Sequence, residues 1–284
     1  MKIKELFLVI VLYKTKLEES RAIRSLGEAI NKKVNLLVFD NSPYKQYEDE
    51  FFVRDRFNIQ YHHDVNNSGL SKAYNLALQY ASTANAKWLL LLDQDTIFTK
   101  AYFEEIEALN DDQIEDDVVA IIPKVVANGK NDIISPATIS LGGVSKPIHL
   151  ESGVCKLKIS GINSGTLLKV SFMNSINGFN EKYSLDMLDH WYFNEIFIKH
   201  KHIYLMESII YQDLSVFGSF EENVSIARYK QMINAEHQLN KDMGLLNLLA
   251  FKARLCFRLW KQFSYNEKQY AKLTVKYIFG VFNP

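Results

Sequence analysis

Short apolar runs alternate with stretches of helical periodicity through the first half of the chain. Runs with the length and composition of strands cover residues 6–13, 34–39, 58–63, 88–92 and 118–126. Between them, residues 18–30 and 68–80 repeat apolar side chains at helical spacing, and Asn67 or Ser68 is expected to cap the second helix. This alternation is typical of βαβ units, so the pattern predicts an α/β domain with a mostly parallel central sheet flanked by helices.

The second half of the chain is less regular. Residues 127–160 are rich in Gly, Pro, Ser and Asn, which indicates loops and small strands of the kind that often contact substrates. Helical spacing returns over 189–200, and residues 203–211 form one more predicted strand. After Glu221 the pattern is helical to the end of the chain, so we expect a boundary near residue 218.

The composition is that of an ordinary globular protein. With 284 residues and 48% hydrophobic content the chain can bury a full core, and its formal net charge of zero argues against a general affinity for nucleic acid. Cys155 and Cys256 lack partner spacing, which fits a reducing compartment. Residues 1–16 imitate a signal peptide, but lysines after the apolar run favour a buried strand. No apolar run approaches the ~18 residues of a membrane span.

The segment from Leu89 to Thr96 carries the strongest sign of chemistry. Four leucines of a predicted buried strand are followed by Asp93 and Asp95, one residue apart. Ligands of parallel sheets bind outside the carboxyl ends of the strands. Two hard oxygen ligands suit Mg²⁺ or Mn²⁺, which in turn can hold a diphosphate. Acidic residues are also common in surface turns, so this motif alone is weak.

Two further polar segments follow strands at the same predicted edge. Asp40 ends the second strand and could accept from the imide N–H of a pyrimidine, although without other context a turn with local hydrogen bonds is the preferred interpretation. Residues 66–75 open a helix, where Asn67, Gly69 and Lys72 could approach a phosphate or ribose. A plain helix cap is the alternative interpretation of that segment.

The order and spacing of these motifs resemble the inverting family-2 glycosyltransferases, and among them the rhamnosyltransferase-like members. The resemblance runs from about residue 6 to about residue 215. Its landmarks are VIVLY at 9–13, VFDNS at 38–42, NNSGLSKAYN at 66–75, LLDQD at 91–95, NSGTL at 163–167 and GFNEKYSLDMLD at 178–189. The family has the GT-A fold, so the resemblance implies a catalytic domain over 1–218 and a C-terminal helical extension over 219–284.

The resemblance also implies roles for the donor site. Residues 1–126 would bind the nucleotide sugar and residues 127–218 the acceptor. Asp40 would recognise the base, and Asp93 would contact the ribose. Asp95, with Asp93, would coordinate Mn²⁺ or Mg²⁺. The expected donor is a dTDP- or UDP-sugar, with rhamnose the first to try.

A catalytic base is implied by the family pattern Asp-x-x-Asp-x-Glu, which here reads DMLDHW at 186–191. Asp189 falls where the base is expected, and Asp186 stands one turn earlier. A carboxylate suits an inverting transfer, which needs the acceptor hydroxyl deprotonated as it attacks. Asp189 could instead be the N-cap of the following helix. Trp191, Ser164 and Gly165 are the candidate acceptor contacts.

Departures from the family pattern leave a second hypothesis open. Trp191 replaces the family's Glu and Glu195 a following Arg, while Gln212 stands where relatives place a metal-binding His, unless Asp213 substitutes. A relative that only binds nucleotide sugar or glycan, as an assembly partner, is therefore the alternative to an enzyme. A nucleotidyltransferase is a third possibility, because it also uses carboxylates and Mg²⁺ at a sheet edge.

The last forty residues are strongly cationic and aromatic. Residues 244–284 contain seven basic residues and a single acidic residue, Glu267, and aromatic residues such as Trp260 are interleaved with them. This composition suits helices in an anionic membrane interface, which would place the protein on the inner face of a bacterial cell membrane near a lipid-linked saccharide acceptor. The alternatives are packing on the catalytic domain, with solvated lysines, and a homodimer interface.

Overall fold

The computed structural model describes residues 5–30, 32–48, 53–54, 57–109, 114–129, 132–212 and 220–280. The chain forms two compact units. The first comprises Met1–Ala137 and Pro147–Asp213, and the second comprises Thr138–Lys146 and Leu214–Pro284. The inclusion of 138–146 in the second unit was not expected from the sequence.

The helices and strands alternate in the first unit and are followed by helices alone. The strands are β1 (Leu6–Leu12), β2 (Val34–Asp40), β3 (Val53–Arg54), β4 (Phe57–His63), β5 (Trp88–Asp93), β6 (Thr96–Ile97), β7 (Val118–Ala127), β8 (Ile133–Ser135), β9 (Ala137–Ser140), β10 (Val144–Pro147), β11 (Gly153–Cys155), β12 (Leu167–Lys169) and β13 (His202–Gln212). The helices are α1 (Arg21–Ala29), α2 (Leu70–Thr83), α3 (Lys100–Ala108), α4 (Val170–Ser175), α5 (Leu188–Ile198), α6 (Phe220–Asn223), α7 (Ile226–Asp242), α8 (Leu245–Gln262) and α9 (Gln269–Phe279).

One mostly parallel sheet forms the centre of the first unit. Its strand order is β11-β13-β7-β12-β5-β1-β2-β4-β3, with β6 paired to β13 and β8 to β7. Strands β5, β1, β2 and β4 are parallel, whereas β12 is antiparallel to both β5 and β7. The predicted α/β class with a mostly parallel sheet is confirmed.

The core explains why the leucine run is a central strand. Leu89 to Leu92 are each completely buried, and α2 packs against β1 and β5. A strand covered on both faces reads as a continuous apolar run instead of an alternating one. The same reason applies to β1, which is buried along most of its length between β5 and β2.

Several elements depart from the sequence-based expectation. The first predicted helix is interrupted at Ser20, which ends a short 3-10 turn and caps α1 by accepting from the Ile23 amide. The cap of α2 is Gly69, so the prediction of Asn67 or Ser68 was wrong. Helices α3 and α4 and strand β12 were not predicted, because segments this short carry little periodicity.

The second unit has its own hydrophobic core. Tyr229 and Ile233 of α7, Phe251 and Leu255 of α8, and Tyr277 of α9 pack together and are nearly or fully buried. Beside this core, Glu236 of α7 pairs with Arg254 and Arg258 of α8. None of the helices that the structure describes combines the length and hydrophobicity needed to span a membrane.

Candidate active site

Strand register brings the predicted donor-site carboxylates to one edge of the sheet. Asp93, the last residue of β5, lies beside Val11 of β1, and Asp40, the last of β2, lies beside Leu12. Both strands therefore end at the same edge, on either side of β1. This is the edge at which parallel α/β sheets bind their ligands.

The Asp-Gln-Asp turn is tied to its surroundings by its middle residue. The Gln94 side-chain oxygen accepts from the Tyr13 amide at 2.9 Å, and its carbonyl accepts from the Ser20 hydroxyl at 2.9 Å and the Arg21 amide at 3.0 Å. Gln94 therefore holds the loop between β5 and β6 against the β1–α1 connection. These hydrogen bonds fix the turn through Gln94 alone, so they do not occupy the carboxylates of Asp93 and Asp95 on either side.

Three carboxylates converge at this edge. Burial and the nearby negative charges of Asp95 and Asp189 raise the pKa of Asp93 to about 7, against a smaller opposing effect of a hydrogen bond from Gln212. Gln212 donates its side-chain amide to Asp93 Oδ2 at 3.1 Å. Like charges this close destabilise one another until a cation binds between them or a proton is taken up.

Asp189 belongs to the first turn of α5. The helix starts at Leu188, and its N-cap is Met187 in the left-handed conformation, so the alternative of Asp189 as N-cap is wrong. Asp189 Oδ1 accepts from the His190 amide at 2.8 Å, and the carboxylate is 19% exposed. Asp186 is half-buried in the turn before the helix. The charge of Asp189 contributes to the raised pKa of Asp93, so Asp189 lies near the end of β5.

Helix α2 holds the segment that leads to Asp189. The Asn75 side chain accepts from the Phe179 amide at 2.7 Å and donates to its carbonyl at 2.9 Å. At the start of the helix, the Leu70 amide donates to the Ser184 carbonyl at 2.5 Å. A Cβ at Gly69, whose φ is +94°, would collide with that carbonyl. The close approach that requires Gly69 is therefore to Ser184, which corrects the sequence-based reason for this glycine.

Asp64 organises the loop before α2. Its carboxylate accepts from the Asn66 amide at 3.1 Å and the Ser68 amide at 2.8 Å. Burial raises the pKa of Asp64, but these hydrogen bonds and the nearby charge of Lys72 outweigh it and leave that pKa below its usual value. Asn67 and Lys72 are exposed, so both remain accessible to a ligand.

Asp40 is completely buried and bonded to protein groups. Its Oδ1 accepts from the Ser42 amide at 2.9 Å and from Gln46 at 3.0 Å, and its Oδ2 accepts from the Tyr61 hydroxyl at 2.6 Å. Burial raises the pKa of Asp40, and the hydrogen bonds more than reverse this, so the carboxylate is ionised at neutral pH. Base recognition by Asp40 stays a prediction, since an imide N–H would have to compete with these donors.

Ser164 and Gly165 lie inside the protein, which corrects their assignment as acceptor contacts. Ser164 is fully buried, hydrogen-bonds with Thr96 and accepts from the Asp93 amide at 3.4 Å. Gly165 has a φ of +74°, and a Cβ there would approach Ile210 to 2.7 Å. These residues support the end of β5 and do not face solvent.

Helix α5 presents two more residues next to Asp189. Trp191 is half-buried and stacks on Tyr183, with ring centroids 6.5 Å apart and an interplanar angle of 24°. His190 Nδ1 lies 2.7 Å from the hydroxyl of the buried Ser160. The sequence analysis missed His190, although a histidine beside the candidate base is a visible signal. The roles of Gln94 and Asn75 were missed because their partners are distant in sequence, whereas Asp64, whose partners are two and four residues away, could have been recognised.

The side chains of Tyr74 and Tyr192 are fully buried; the Tyr74 hydroxyl has no hydrogen-bond partner among the described residues, whereas the Tyr192 hydroxyl lies near Thr166. Burial, and then the charges of Asp93 for Tyr74 and Asp189 for Tyr192, raise their pKa values well above the usual one. Both rings therefore stay neutral and form an apolar backing behind the carboxylates. Such a backing lowers the local dielectric and strengthens the attraction of Asp93 and Asp189 for a cation.

The donor set fits a divalent cation held with a diphosphate. Asp93 and Asp95 offer hard oxygen ligands, and a bound cation would offset both the burial and the nearby negative charges that raise the pKa of Asp93. Among the described residues, no group of three His, Cys, Asp or Glu side chains could hold a metal. Two carboxylates completed by phosphates and water are the arrangement that Mg²⁺ commonly uses. Asp213, the predicted substitute ligand, lies outside the described residues.

The opposite edge of the sheet carries a concavity of about 550 Å³ without comparable chemistry. It is lined by residues around Trp88 at the start of β5, including Lys87, Lys169 and Asp116. Lys87 is paired with Glu5, and Lys169 donates to the Asp116 carbonyl. Both of its lysines already have partners, and it lacks a group of carboxylates like that at the end of β5, so the carboxylate edge is the stronger candidate site.

Solved structures with similar architecture come from glycosyltransferases. GalNAc-T7 with UDP, GalNAc and Mn²⁺ aligns at 11% identity and TM-score 0.59, over 81% of this chain and 47% of that one. S. aureus TarS 1-349 in complex with UDP-GlcNAc aligns at 13% identity and TM-score 0.55, over 96% and 81%. The Pyrobaculum calidifontis mannosyltransferase PcManGT, in complex with GDP-Man and Mn²⁺, aligns at 10% identity and TM-score 0.53, over 99% and 81%.

These likenesses show the fold and not the substrate, because the identities are low. The chain spans 47% of the GalNAc-T7 chain and 55% of the longer TarS chain. Among curated proteins, no sequence matches this one. Residues 8–166, more than half of the chain, match the family described as "Glycosyl transferase family 2". The predicted family is therefore confirmed: this protein belongs to glycosyl transferase family 2 and has the GT-A fold.

Proposed function

We propose that the protein is an inverting glycosyltransferase that moves a sugar from a nucleoside diphosphate donor to a saccharide acceptor. The observation that carries the proposal is the position of Asp93 at the carboxyl end of β5, with Asp95 and Asp189 near enough for their charges to add to the effect of burial on its pKa. Rhamnose from dTDP-rhamnose is the first donor to try. The acceptor we propose is a growing, lipid-linked bacterial cell-surface polysaccharide.

In this proposal each carboxylate has a separate task. Asp93 and Asp95 would hold a divalent cation together with the donor diphosphate, and that cation would offset the charge on the departing nucleotide. Asp189 would accept the proton of the acceptor hydroxyl as this oxygen attacks the anomeric carbon opposite the nucleotide. Asn67 and Lys72, both exposed beside the same edge, are available to the donor phosphates and ribose.

The first experiment is calorimetry of UDP and dTDP binding, with and without Mn²⁺, to the wild type and to Asp95→Ala. Binding that needs Mn²⁺ and disappears in Asp95→Ala would support the donor site and identify the nucleotide. Asp116→Ala is the matched control, because Asp116 is an exposed aspartate at the opposite edge of the sheet. A folded wild-type protein that binds neither nucleotide would contradict the donor assignment.

A second candidate function is that of a relative that binds nucleotide sugar or glycan without turnover. It is favoured by Gln212, which stands in the expected metal-ligand position and donates a hydrogen bond to Asp93 instead. Release of the free nucleoside diphosphate from a panel of dTDP- and UDP-sugars separates the two. Turnover that Asp189→Asn abolishes while donor binding persists identifies an enzyme, and binding without turnover at any donor identifies a binding protein.

A further inference from the structure

Helix α8 has an exposed apolar face along its whole length. Its members are Leu245, Leu246, Leu249, Phe257, Trp260 and Phe263, whose side chains are between 54% and 74% exposed. At about 100° per residue these positions fall within an arc of about 120°. The helix is 18 residues long, so the face extends for about 27 Å. Contiguous exposed apolar surface of this kind marks an interaction site.

The opposite face of α8 packs in the hydrophobic core of the second unit. Phe251 and Leu255 are completely buried in its core, and Gln262 is 1% exposed. These residues lie about half a turn away from the centre of the exposed face. The exposed residues are therefore not needed to attach α8 to its own unit, and their exposure calls for a separate explanation.

The hairpin at residues 138–146 continues this surface. Gly142, with a φ of +79°, packs its backbone on α8 so closely that a Cβ would lie 2.9 Å from the Ala250 carbonyl carbon. Leu141 and Val144, on either side of the turn, are 61% and 45% exposed. The hairpin tip thus adds two more apolar side chains next to the face of α8.

The charges around the face are almost all positive. Lys252 and Lys261 are the basic residues of α8 nearest the two edges of the arc. Arg254 and Arg258 are paired with Glu236. Exposed Lys268, Lys272 and Lys276 follow in or next to α9, and Glu267 is the single acidic residue between 245 and 280.

We propose that this face, the α8 face, binds the interfacial region of an anionic lipid bilayer. Large apolar and aromatic side chains on one side of a helix, flanked by lysines, are what an interfacial helix inserts among lipid headgroups. Each lysine near such a surface adds attraction. A second copy of this chain would fit less well, because a two-fold contact sets the same basic edges against each other.

The test is flotation of the full chain with lipid vesicles. Vesicles of equal phosphatidylglycerol and phosphatidylcholine are compared with pure phosphatidylcholine, in 0.1 M and 0.5 M NaCl. We expect binding to the anionic vesicles that weakens at high salt, because screening shortens the reach of the lysines. Removing two lysine charges in Lys252→Gln/Lys261→Gln is expected to weaken binding about twenty-five-fold, at about fivefold per lysine.

Matched variants separate the α8 face from general hydrophobicity and charge. Phe257→Glu and Trp260→Glu should each abolish flotation, whereas Ile198→Glu, at a 54% exposed position at the end of α5, should float as the wild type does. Lys33→Gln/Lys182→Gln removes two exposed lysines elsewhere and should bind normally. Asp95→Ala should also bind normally, so this inference and the proposed function fail independently.

Tryptophan fluorescence gives an independent readout. Of the three tryptophans, Trp260 is 72% exposed and Trp88 is buried. Anionic vesicles should shift the emission to shorter wavelength in the wild type, and Trp260→Phe should bind without that shift. Absence of flotation on anionic vesicles would overturn the proposal. So would a concentration-dependent dimer, formed without lipid, that Phe257→Glu and Trp260→Glu dissociate, because a second copy would then cover the face.

Discussion

Asp93 in the first unit and Glu236 in the second are both largely removed from water, and their surroundings shift their pKa values in opposite directions. Asp93 is half-buried near two other carboxylates, and its pKa rises to about 7. Burial also raises the pKa of Glu236, but hydrogen bonds and charge from Arg258 and Arg254 lower it overall. The chain supplies the counter-charge for Glu236, whereas under the proposed function a bound cation would supply that of Asp93. Glu236 is therefore a structural residue, and Asp93 is the residue to which the proposed function assigns cation binding.

The largest effect that tests this comparison is on turnover. Under the proposed function, Asp189→Asn removes the base and should lower kcat about a thousandfold, within the usual range for general-base groups. Nucleotide binding should persist, because Asp95 and Asp93 remain. The measurement is nucleoside diphosphate release at saturating donor, beside calorimetry of the same variant. Unchanged turnover in Asp189→Asn would show that the base lies elsewhere.

The next effect is on the stability of the second unit. Glu236→Ala leaves Arg254 and Arg258 partly buried without their counter-charge, which should lower the free energy of unfolding by about 3 kcal/mol. Urea unfolding followed by circular dichroism measures it. The control is Asp242→Ala, an exposed position at the end of α7, where we expect a change of about 0.5 kcal/mol or less. An equal loss of unfolding free energy in both variants would show that the ion pairs of Glu236 do not stabilise the second unit.

A smaller effect of opposite sign is expected at Asp93. Because its pKa is raised in the folded state, the folded protein binds more protons than the unfolded chain between pH 4 and 7, so this group lowers stability as the pH rises through that window. In the absence of metal, Asp93→Asn should therefore raise the free energy of unfolding at pH 8 by on the order of 1 kcal/mol and leave it unchanged at pH 4.

Glu236 provides the opposite pH dependence as a control for the same measurement. Its lowered pKa contributes stability above the unfolded value of 4.5, and that contribution is lost as the pH falls through the folded pKa. Thermal unfolding of the wild type, Asp93→Asn and Glu236→Gln from pH 3 to 8 therefore follows both acids, because the window of Glu236 lies below pH 4.5. A destabilising effect of Asp93→Asn at pH 8 would mean that a protein cation already neutralises Asp93.

The smallest effect on stability is expected on the α8 face. Trp260→Gln changes an exposed side chain and should alter the free energy of unfolding by less than about 0.5 kcal/mol. On the buried side of the same helix, Leu255→Ala should cost about 3 kcal/mol through the cavity it leaves. Urea unfolding of both variants makes the comparison. A large loss in Trp260→Gln would mean that this residue serves folding.

The sequence analysis worked best where the signal was local. The leucine run before Asp93 identified β5, because a strand buried on both faces needs nothing but apolar residues. Helical spacing identified α7 to α9, and motif order identified the family. The prediction for Ser164 failed because its environment depends on distant residues. The NSGTL segment is a recognisable motif, but no local feature shows that the Ser164 hydroxyl accepts from the Asp93 amide inside the protein.

By itself the sequence determined the longer strands and helices and which acids end the strands, since periodicity and composition are local properties of the chain. Only the tertiary structure decided that Asn75 holds Phe179 across 104 residues, that Ser184 requires Gly69, and that Asp189 lies near enough to Asp93 to affect its pKa. It also decided which half of α8 is buried. These outcomes depend on contacts between distant segments, and such contacts exist only once the sheet and the helices have packed.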